Sequence, residues 1–187
     1  KGKPMTRAFL FPGQGSQAVG MGQALAASFP AARLVFEEVD EALKQKLSKL
    51  MFEGPEADLT LTENAQPALM AVSVAVLKVL ESEGHFRLAD KVAYVAGHSL
   101  GEYSALAAAG ALGLSDAARL LKLRGQAMQK AVPVGAGAMA ALLGPELEQV
   151  QKIAQQAAAE TKLVCGVAND NSPGQVVVSG AKAAVER

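Results

Sequence analysis

Short apolar runs alternate with longer stretches in which hydrophobic residues recur every three or four positions, and the two patterns divide the chain into strands and helices. Ala8-Phe9-Leu10-Phe11 predicts a short buried strand, broken at once by Pro12-Gly13-Gln14-Gly15. From Ala26 to Leu50 the residues Phe29, Leu34, Val35, Val39, Leu43 and Leu47 keep the spacing of amphipathic surface helices among charges. Gly54-Pro55 closes that segment. Leu61-Thr62-Glu63-Asn64 then offers capping residues for a helix from about Gln66 to Glu83, apolar nearly all round and therefore expected in the core. The run from Val92 to Ala96 predicts a second buried strand. It meets Gly97 and Gly101 around one serine, Ser99, and turns into an Ala- and Leu-rich helix continuing to about Gly110. Ser115-Asp116 is placed to cap another helix, running to about Lys130.

After Val132-Pro133-Val134-Gly135-Ala136-Gly137 the pattern shortens. Ala138 to Leu143 reads as a strand, Pro145 to Glu160 as an amphipathic helix, Leu163 to Ala168 as a strand and Asn169 to Gly174 as a polar turn. Gln175 to Ser179 is a further strand, and a helix starts at Ala181. The order β-α-β-β-α suggests a ferredoxin-like subdomain without its last strand. The expected division is 1–131 and 132–187, in an α/β fold.

Composition narrows the range of partners. The chain has 187 residues, half of them hydrophobic, enough for one domain with a core or a domain plus a subdomain. Eighteen basic and eighteen acidic residues cancel, with no long run of one sign, so neither nucleic acid nor an anionic membrane is an expected partner. The single cysteine, Cys165, sits in an apolar run and reads as a buried structural thiol, which suits a reducing compartment. The longest uncharged apolar stretch, Ala65 to Leu77, is shorter than the ~20 residues of a membrane helix. Lys1-Gly2-Lys3-Pro4 has too little hydrophobic sequence behind it for a secretory signal. A soluble, cytoplasmic monomer without a bound metal is expected.

The chemistry concentrates at Gly97-His98-Ser99-Leu100-Gly101. A strand, a G-x-S-x-G turn and a helix make a nucleophile elbow, in which the serine stands at the apex of a turn so tight that neighbouring backbone needs residues without a Cβ. Ser99 then stands clear of the sheet, and the N–H of Leu100, still unpaired in the first helical turn, can donate to an oxyanion. The glycine-rich loop after the first strand lacks the lysine of a P-loop and the G-x-G-x-x-G of a dinucleotide site, which argues against phosphate binding. Serine needs a base. His98 is covalently next to Ser99 and projects to another side of the turn, while His85 precedes the Val92 strand, at the wrong edge of the sheet for a site at the carboxyl ends of strands.

Gly97-His98-Ser99-Leu100-Gly101-Glu102-Tyr103 resembles the active-site segment of the malonyl-CoA:acyl carrier protein transacylases and the acyltransferase domains of fatty acid and polyketide synthases. Phe11-Pro12-Gly13-Gln14-Gly15-Ser16-Gln17, Asn64-Ala65-Gln66-Pro67-Ala68 and Arg124-Gly125-Gln126-Ala127-Met128-Gln129 agree with the same family, in its order and spacing. The resemblance implies an α/β-hydrolase-like parallel-sheet core with an inserted ferredoxin-like subdomain, here truncated at the carboxyl terminus. It implies Ser99 as nucleophile, the backbone N–H groups of Gln14 and Leu100 as oxyanion donors, and Arg124 as the holder of the malonate carboxylate. His98, Met128 and Asn169 become candidate pocket-lining residues. The implied substrates are malonyl-CoA and the phosphopantetheine thiol of acyl carrier protein, with no permanently bound cofactor. The family's catalytic histidine lies further along than this chain reaches. A polyketide-type acyltransferase, a serine esterase of α/β-hydrolase type and an inactive fragment that only binds carrier protein stay open as alternatives.

Overall fold

The computed structural model describes residues 7–133 and 135–187. The opening Lys1-Gly2-Lys3-Pro4 segment and Val134 lie outside the described residues. The fold is mixed α/β in two compact units, one running to Gln129 and the other from Lys130 to Arg187.

In the first unit, strand β1 (Ala8–Phe11) is followed by helices α1 (Gln23–Ser28), α2 (Pro30–Leu43), α3 (Leu47–Glu53), α4 (Glu56–Thr60), α5 (Thr62–Glu83) and α6 (Leu88–Lys91). Strand β2 (Tyr94–Gly97), α7 (Gly101–Ala108) and α8 (Leu114–Ala131) complete it. β1 and β2 pair in parallel, from Ala8 opposite Tyr94 to Phe11 opposite Gly97. Their carboxyl ends therefore lie side by side, and the Pro12–Gly15 loop and the Ser99 turn leave the sheet from the same edge.

The amphipathic region from Ala26 to Leu50 is three helices whose breaks have local causes. Pro30 opens α2, where its missing N–H costs nothing. Lys44 ends α2 in the left-handed conformation, with φ of 50°. Asp40 then accepts from both the N–H and the hydroxyl of Ser48, at 2.8 and 2.6 Å, pairing a free donor in the first turn of α3. Ala32, Val35, Phe36 and Val39 of α2 face the core, whereas Leu34 is 63% exposed, off the predicted stripe. Phe36 meets Phe52 of α3 edge to face, ring centroids 5.4 Å apart.

α5 starts at Thr62, one turn before the sequence pattern suggests, and its N-cap residue, Leu61, has no side-chain capping bond; the Gln129 side chain of α8 instead accepts from the Glu63 N–H at 2.8 Å. Asn64, expected among the capping residues, is buried inside the helix and donates to the Asp58 carbonyl. By length and composition alone α5 could cross a membrane. Its residues from Asn64 to Ala71 are all buried against the rest of the unit, as in a core helix. α8 also begins before its expected cap: Ser115 is in the first turn and donates to Glu38 of α2 at 2.8 Å, while Asp116 pairs with Arg119. A tertiary bond replaces the predicted cap.

The second unit holds β3 (Gly137–Leu143), α9 (Leu147–Thr161), β4 (Cys165–Ser172), β5 (Gln175–Ala181) and α10 (Lys182–Val185). Its sheet has the order β3-β5-β4, antiparallel throughout. A reciprocal pair of bonds between Glu146 and Gln149 caps α9. Val150 and Ala154 of α9 pack on Val176 and Val178 of β5. Cys165 joins this cluster half-buried rather than fully enclosed. The predicted polar turn from Asn169 to Gly174 is mostly strand. β4 runs on to Ser172, with register shifts after Val167 and Asp170, leaving the turn to Pro173 and Gly174. Each shift admits an unpaired residue, so polar residues continue a strand that alternation alone would have ended.

Candidate active site

The backbone passes from β2 into α7 through Ser99, which has φ of 54°, a conformation few residues other than glycine adopt. The turn closes on itself, with the Gly101 N–H donating to the His98 carbonyl at 2.9 Å and the Glu102 N–H to the Ser99 carbonyl at 3.1 Å. Two glycines make it possible. A Cβ on Gly97 would lie 1.9 Å from the Gly101 carbonyl, and one on Gly101 would lie 2.3 Å from the Phe11 carbonyl oxygen. Strand, helix and the end of β1 thus touch backbone to backbone. Ser99 is exposed, while Leu100 beneath it is fully buried and anchors the turn.

The Pro12–Gly15 loop lies against this turn. The His98 N–H donates to the Phe11 carbonyl at 3.2 Å, and a Cβ built on Gly13 would stand 2.9 Å from His98 Nδ1. The exposed Gln14 side chain reaches Thr62 at the start of α5, Nε2 to Oγ1 at 3.4 Å. Among the described residues, no backbone carbonyl accepts from the N–H of Gln14 or of Leu100.

α8 brings Arg124 to the same place. Its Nη2 donates to Ser99 Oγ at 3.1 Å, its Nη1 donates to Gln66 Oε1 at 2.6 Å, and its guanidinium carbon is 6.0 Å from the centroid of the Tyr103 ring. The arginine is not a freely solvated surface charge. α8 is held against the start of α5 by polar bonds: Lys122 pairs with Glu63 at 2.9 Å, Gln126 donates to Glu63 at 3.1 Å, and the Glu63 N–H donates to Gln129 at 2.8 Å. Gly125 supplies the close approach, since a Cβ there would lie 2.4 Å from Glu63 Cα.

Of the expected site residues, Gln14, His98, Ser99, Leu100, Arg124 and Met128 belong to this neighbourhood. Met128, 49% exposed, accepts from Gln66 Nε2 through its sulfur at 3.3 Å. Asn169 is exposed on β4 of the second unit. His85 sits exposed after α5, in the left-handed region with φ of 50°. Sequence reasoning assigned no role to Gln66 or Tyr103.

A hydroxyl at the crest of a tight turn with a guanidinium within one hydrogen bond places a nucleophile beside a fixed cation. Residues 8–187 match the acyl transferase domain family. The chain belongs to that family. As an acyl transferase domain it is 51% identical over 179 residues to the malonyl CoA-acyl carrier protein transacylase of Bacillus subtilis (strain 168), covering 96% of this chain and 55% of that protein. It is 48% identical over 180 residues to the protein of that name from Escherichia coli (strain K12), covering 96% and 56%. The acyl-carrier-protein-S-malonyltransferase of Bartonella henselae superposes with a TM-score of 0.91 at 59% identity, over 97% of this chain and 57% of that one. A malonyl-transacylase in complex with its type II PKS acyl-carrier protein superposes with a TM-score of 0.86 at 43% identity, over 97% and 57%. The chain thus spans about half the length of the curated relatives it matches.

Proposed function

We propose that this acyl transferase domain is part of a malonyl-CoA:acyl carrier protein transacylase of fatty acid biosynthesis, in the cytoplasm. The observation that carries the reading is the 3.1 Å bond between Arg124 and Ser99. In a malonyl thioester the carboxylate carbon and the thioester carbon are separated by one methylene, about 2.5 Å apart across two ordinary C–C bonds. A carboxylate held bidentate by Arg124 therefore brings the thioester carbon to the serine oxygen. An acetyl group offers the guanidinium nothing to hold.

In the first half-reaction the Ser99 oxygen bonds to the thioester carbon and gives its proton to a base, which by resemblance is a histidine further along the family's sequence. The carbonyl oxygen takes the negative charge under the N–H groups of Gln14 and Leu100. The C–S bond then breaks, and CoA leaves as the thiol with that proton. In the second half-reaction the phosphopantetheine thiol of acyl carrier protein attacks the malonyl-serine, and Ser99 recovers its hydroxyl. Each oxyanion donor of this kind is worth roughly a hundred- to a thousandfold in rate. The fold proposed around it has residues 1–131 in an α/β-hydrolase-like domain and 132–187 in a ferredoxin-like subdomain. The antiparallel β3-β5-β4 order supports the latter, because it is the order such a subdomain has without its last strand.

Incubation of the protein carrying that histidine with malonyl-CoA, followed by intact-mass measurement, tests the reading. Addition of one malonyl group, lost in Ser99→Ala, is expected, and Arg124→Ala should reduce malonylation far more than acetylation. A serine esterase would release free malonate without needing a thiol acceptor. An Arg124→Ala variant with its malonyl-to-acetyl preference intact removes the role proposed for the arginine.

A further inference from the structure

Of the two buried polar side chains of α5, Asn64 and Gln66, it is Gln66 that meets Arg124 and Met128 of α8. Gln66 is 1% exposed, and an amide buried without partners is destabilising. Both of its ends are satisfied: Oε1 accepts from Arg124 Nη1 at 2.6 Å, and Nε2 donates to Met128 Sδ at 3.3 Å. A guanidinium has donors only, so the amide oxygen must face it and the amide nitrogen must face the sulfur. Turning the amide over would set donor against donor. The contact is therefore directional, and it occupies Nη1 while Nη2 reaches Ser99.

The three groups that Arg124 is seen to contact are neutral: the Gln66 amide, the Ser99 hydroxyl and the Tyr103 ring. Among the described residues no carboxylate forms an ion pair with it. Lys122, two residues earlier on the same helix, is treated differently and is paired with Glu63 at 2.9 Å. The fold thus neutralises one cation of α8 and leaves its neighbour's charge unspent.

We infer that Gln66 is a positioning residue for acyl-group choice: it aims the Arg124 guanidinium at Ser99 through an uncharged acceptor, so that the full positive charge remains for the carboxylate of the incoming acyl group. This rests on the reading of Arg124 as the carboxylate holder. A glutamate at position 66 has nearly the same size and would aim the guanidinium equally well, but would neutralise it. A methionine would fill the space and aim nothing.

The test is calorimetric titration of the chain with malonyl-CoA and acetyl-CoA in a Ser99→Ala background, where acyl transfer cannot consume the ligand. Gln66→Glu, Gln66→Met and Arg124→Ala are compared in that background. The preference for malonyl-CoA should fall about tenfold or more in Gln66→Glu and several-fold in Gln66→Met, with acetyl-CoA affinity within about twofold, as loss of one charge-assisted contact predicts. A purely structural glutamine gives another result: Gln66→Met weakens both ligands alike, Gln66→Glu changes neither, and the inference is overturned. If Arg124→Ala abolishes the preference and Gln66→Glu keeps it, the Gln66 role alone falls. If the starting protein shows no preference, or Arg124→Ala retains it, the carboxylate reading falls and takes this inference with it. Should the Gln66 variants not fold, nitrogen-15 NMR of the Arg124 guanidinium in the unmutated chain decides. Restricted rotation about its Nη1 bond supports the inference, and free rotation overturns it.

Discussion

Gly101→Ala probes the backbone contact on which the serine turn depends. The new Cβ would lie 2.3 Å from the Phe11 carbonyl oxygen and 2.8 Å from that of Pro12. Ordinary van der Waals contact begins at 3.4 Å, so the end of β1 and the start of α7 must separate by about 1.1 Å. Both atoms are backbone and neither has a rotamer to yield. The Phe11 carbonyl also accepts from the His98 N–H, a bond already 3.2 Å long. Overpacking of this kind costs about 1–3 kcal/mol and a lost hydrogen bond about 1 kcal/mol more, while alanine in place of glycine at a helix start returns about 0.5–1 kcal/mol. The net expectation is a loss of about 1–3 kcal/mol, read from the urea midpoint at unchanged m-value. Gly113→Ala is the matched control, because its Cβ would meet only the Asp116 carboxylate, at 3.5 Å. Serine malonylation should fall further than stability does, since a displacement near 1 Å at a reacting group costs on the order of a hundredfold. A Gly101→Ala protein within about 0.5 kcal/mol of the Gly113→Ala control, malonylated at the same rate, would refute the contact argument.

Two further expectations concern the elements that carry the site. Ser104 of α7 is fully buried, and its hydroxyl has no hydrogen-bond partner among the described residues. Ser104→Ala should therefore raise stability by about 0.5–1 kcal/mol in a denaturant titration; a loss of more than about 1 kcal/mol would mean that the hydroxyl is satisfied after all. Glu81 of α5 accepts from the Leu88 N–H at 2.9 Å and pairs with Lys78 at 3.0 Å, steadying the turn that leads into β2. Burial raises its carboxyl, but the Leu88 bond and the charges of Lys78 and Arg87 outweigh that, so it is held below its ordinary value of 4.5. A depressed carboxylate stabilises the fold above its unfolded value, and that stabilisation is lost as pH falls through the folded value. Glu81→Gln should thus lower thermal stability at neutral pH by less than about 1 kcal/mol, with the gap closing in acid. A gap that persists in acid contradicts the assignment.

The serine turn was legible because its geometry makes a demand that only glycine meets. Gly97 and Gly101 stand where three backbones converge, and no other side chain fits the 1.9 and 2.3 Å approaches. The short strands β1 and β2 were legible as strands for a similar local reason, a bounded apolar run, but not as buried ones: Leu10 is 76% and Tyr94 66% exposed, and of the two strands only Phe11 is buried. Where tertiary bonds set a boundary, local pattern failed. Ser115 looks like a cap and instead ties α8 to Glu38, and Asn64 looks like a cap and is buried, donating to Asp58. α2 ends at a lysine in the left-handed region, a position where glycine would have been the visible sign. β4 continues past Val167 because its bulges let polar residues join the ladder.

The Gln66–Arg124 pair lies between these cases. Nothing in the spacing of the two residues, on different helices and far apart in sequence, says that they meet. Yet Gln66 lies within the uncharged apolar run from Ala65 to Leu77, in a helix buried along that stretch, and a polar group buried there needs a partner. Its oxygen needed a donor and its nitrogen an acceptor. A helix carrying Arg124 and Met128 one turn apart supplies both on one face. The sequence therefore carried the requirement in full, and what it withheld was the address. That address is set by the polar bonds of Glu63 with Lys122, Gln126 and Gln129, which fix α8 against α5 and so decide which cation faces Ser99.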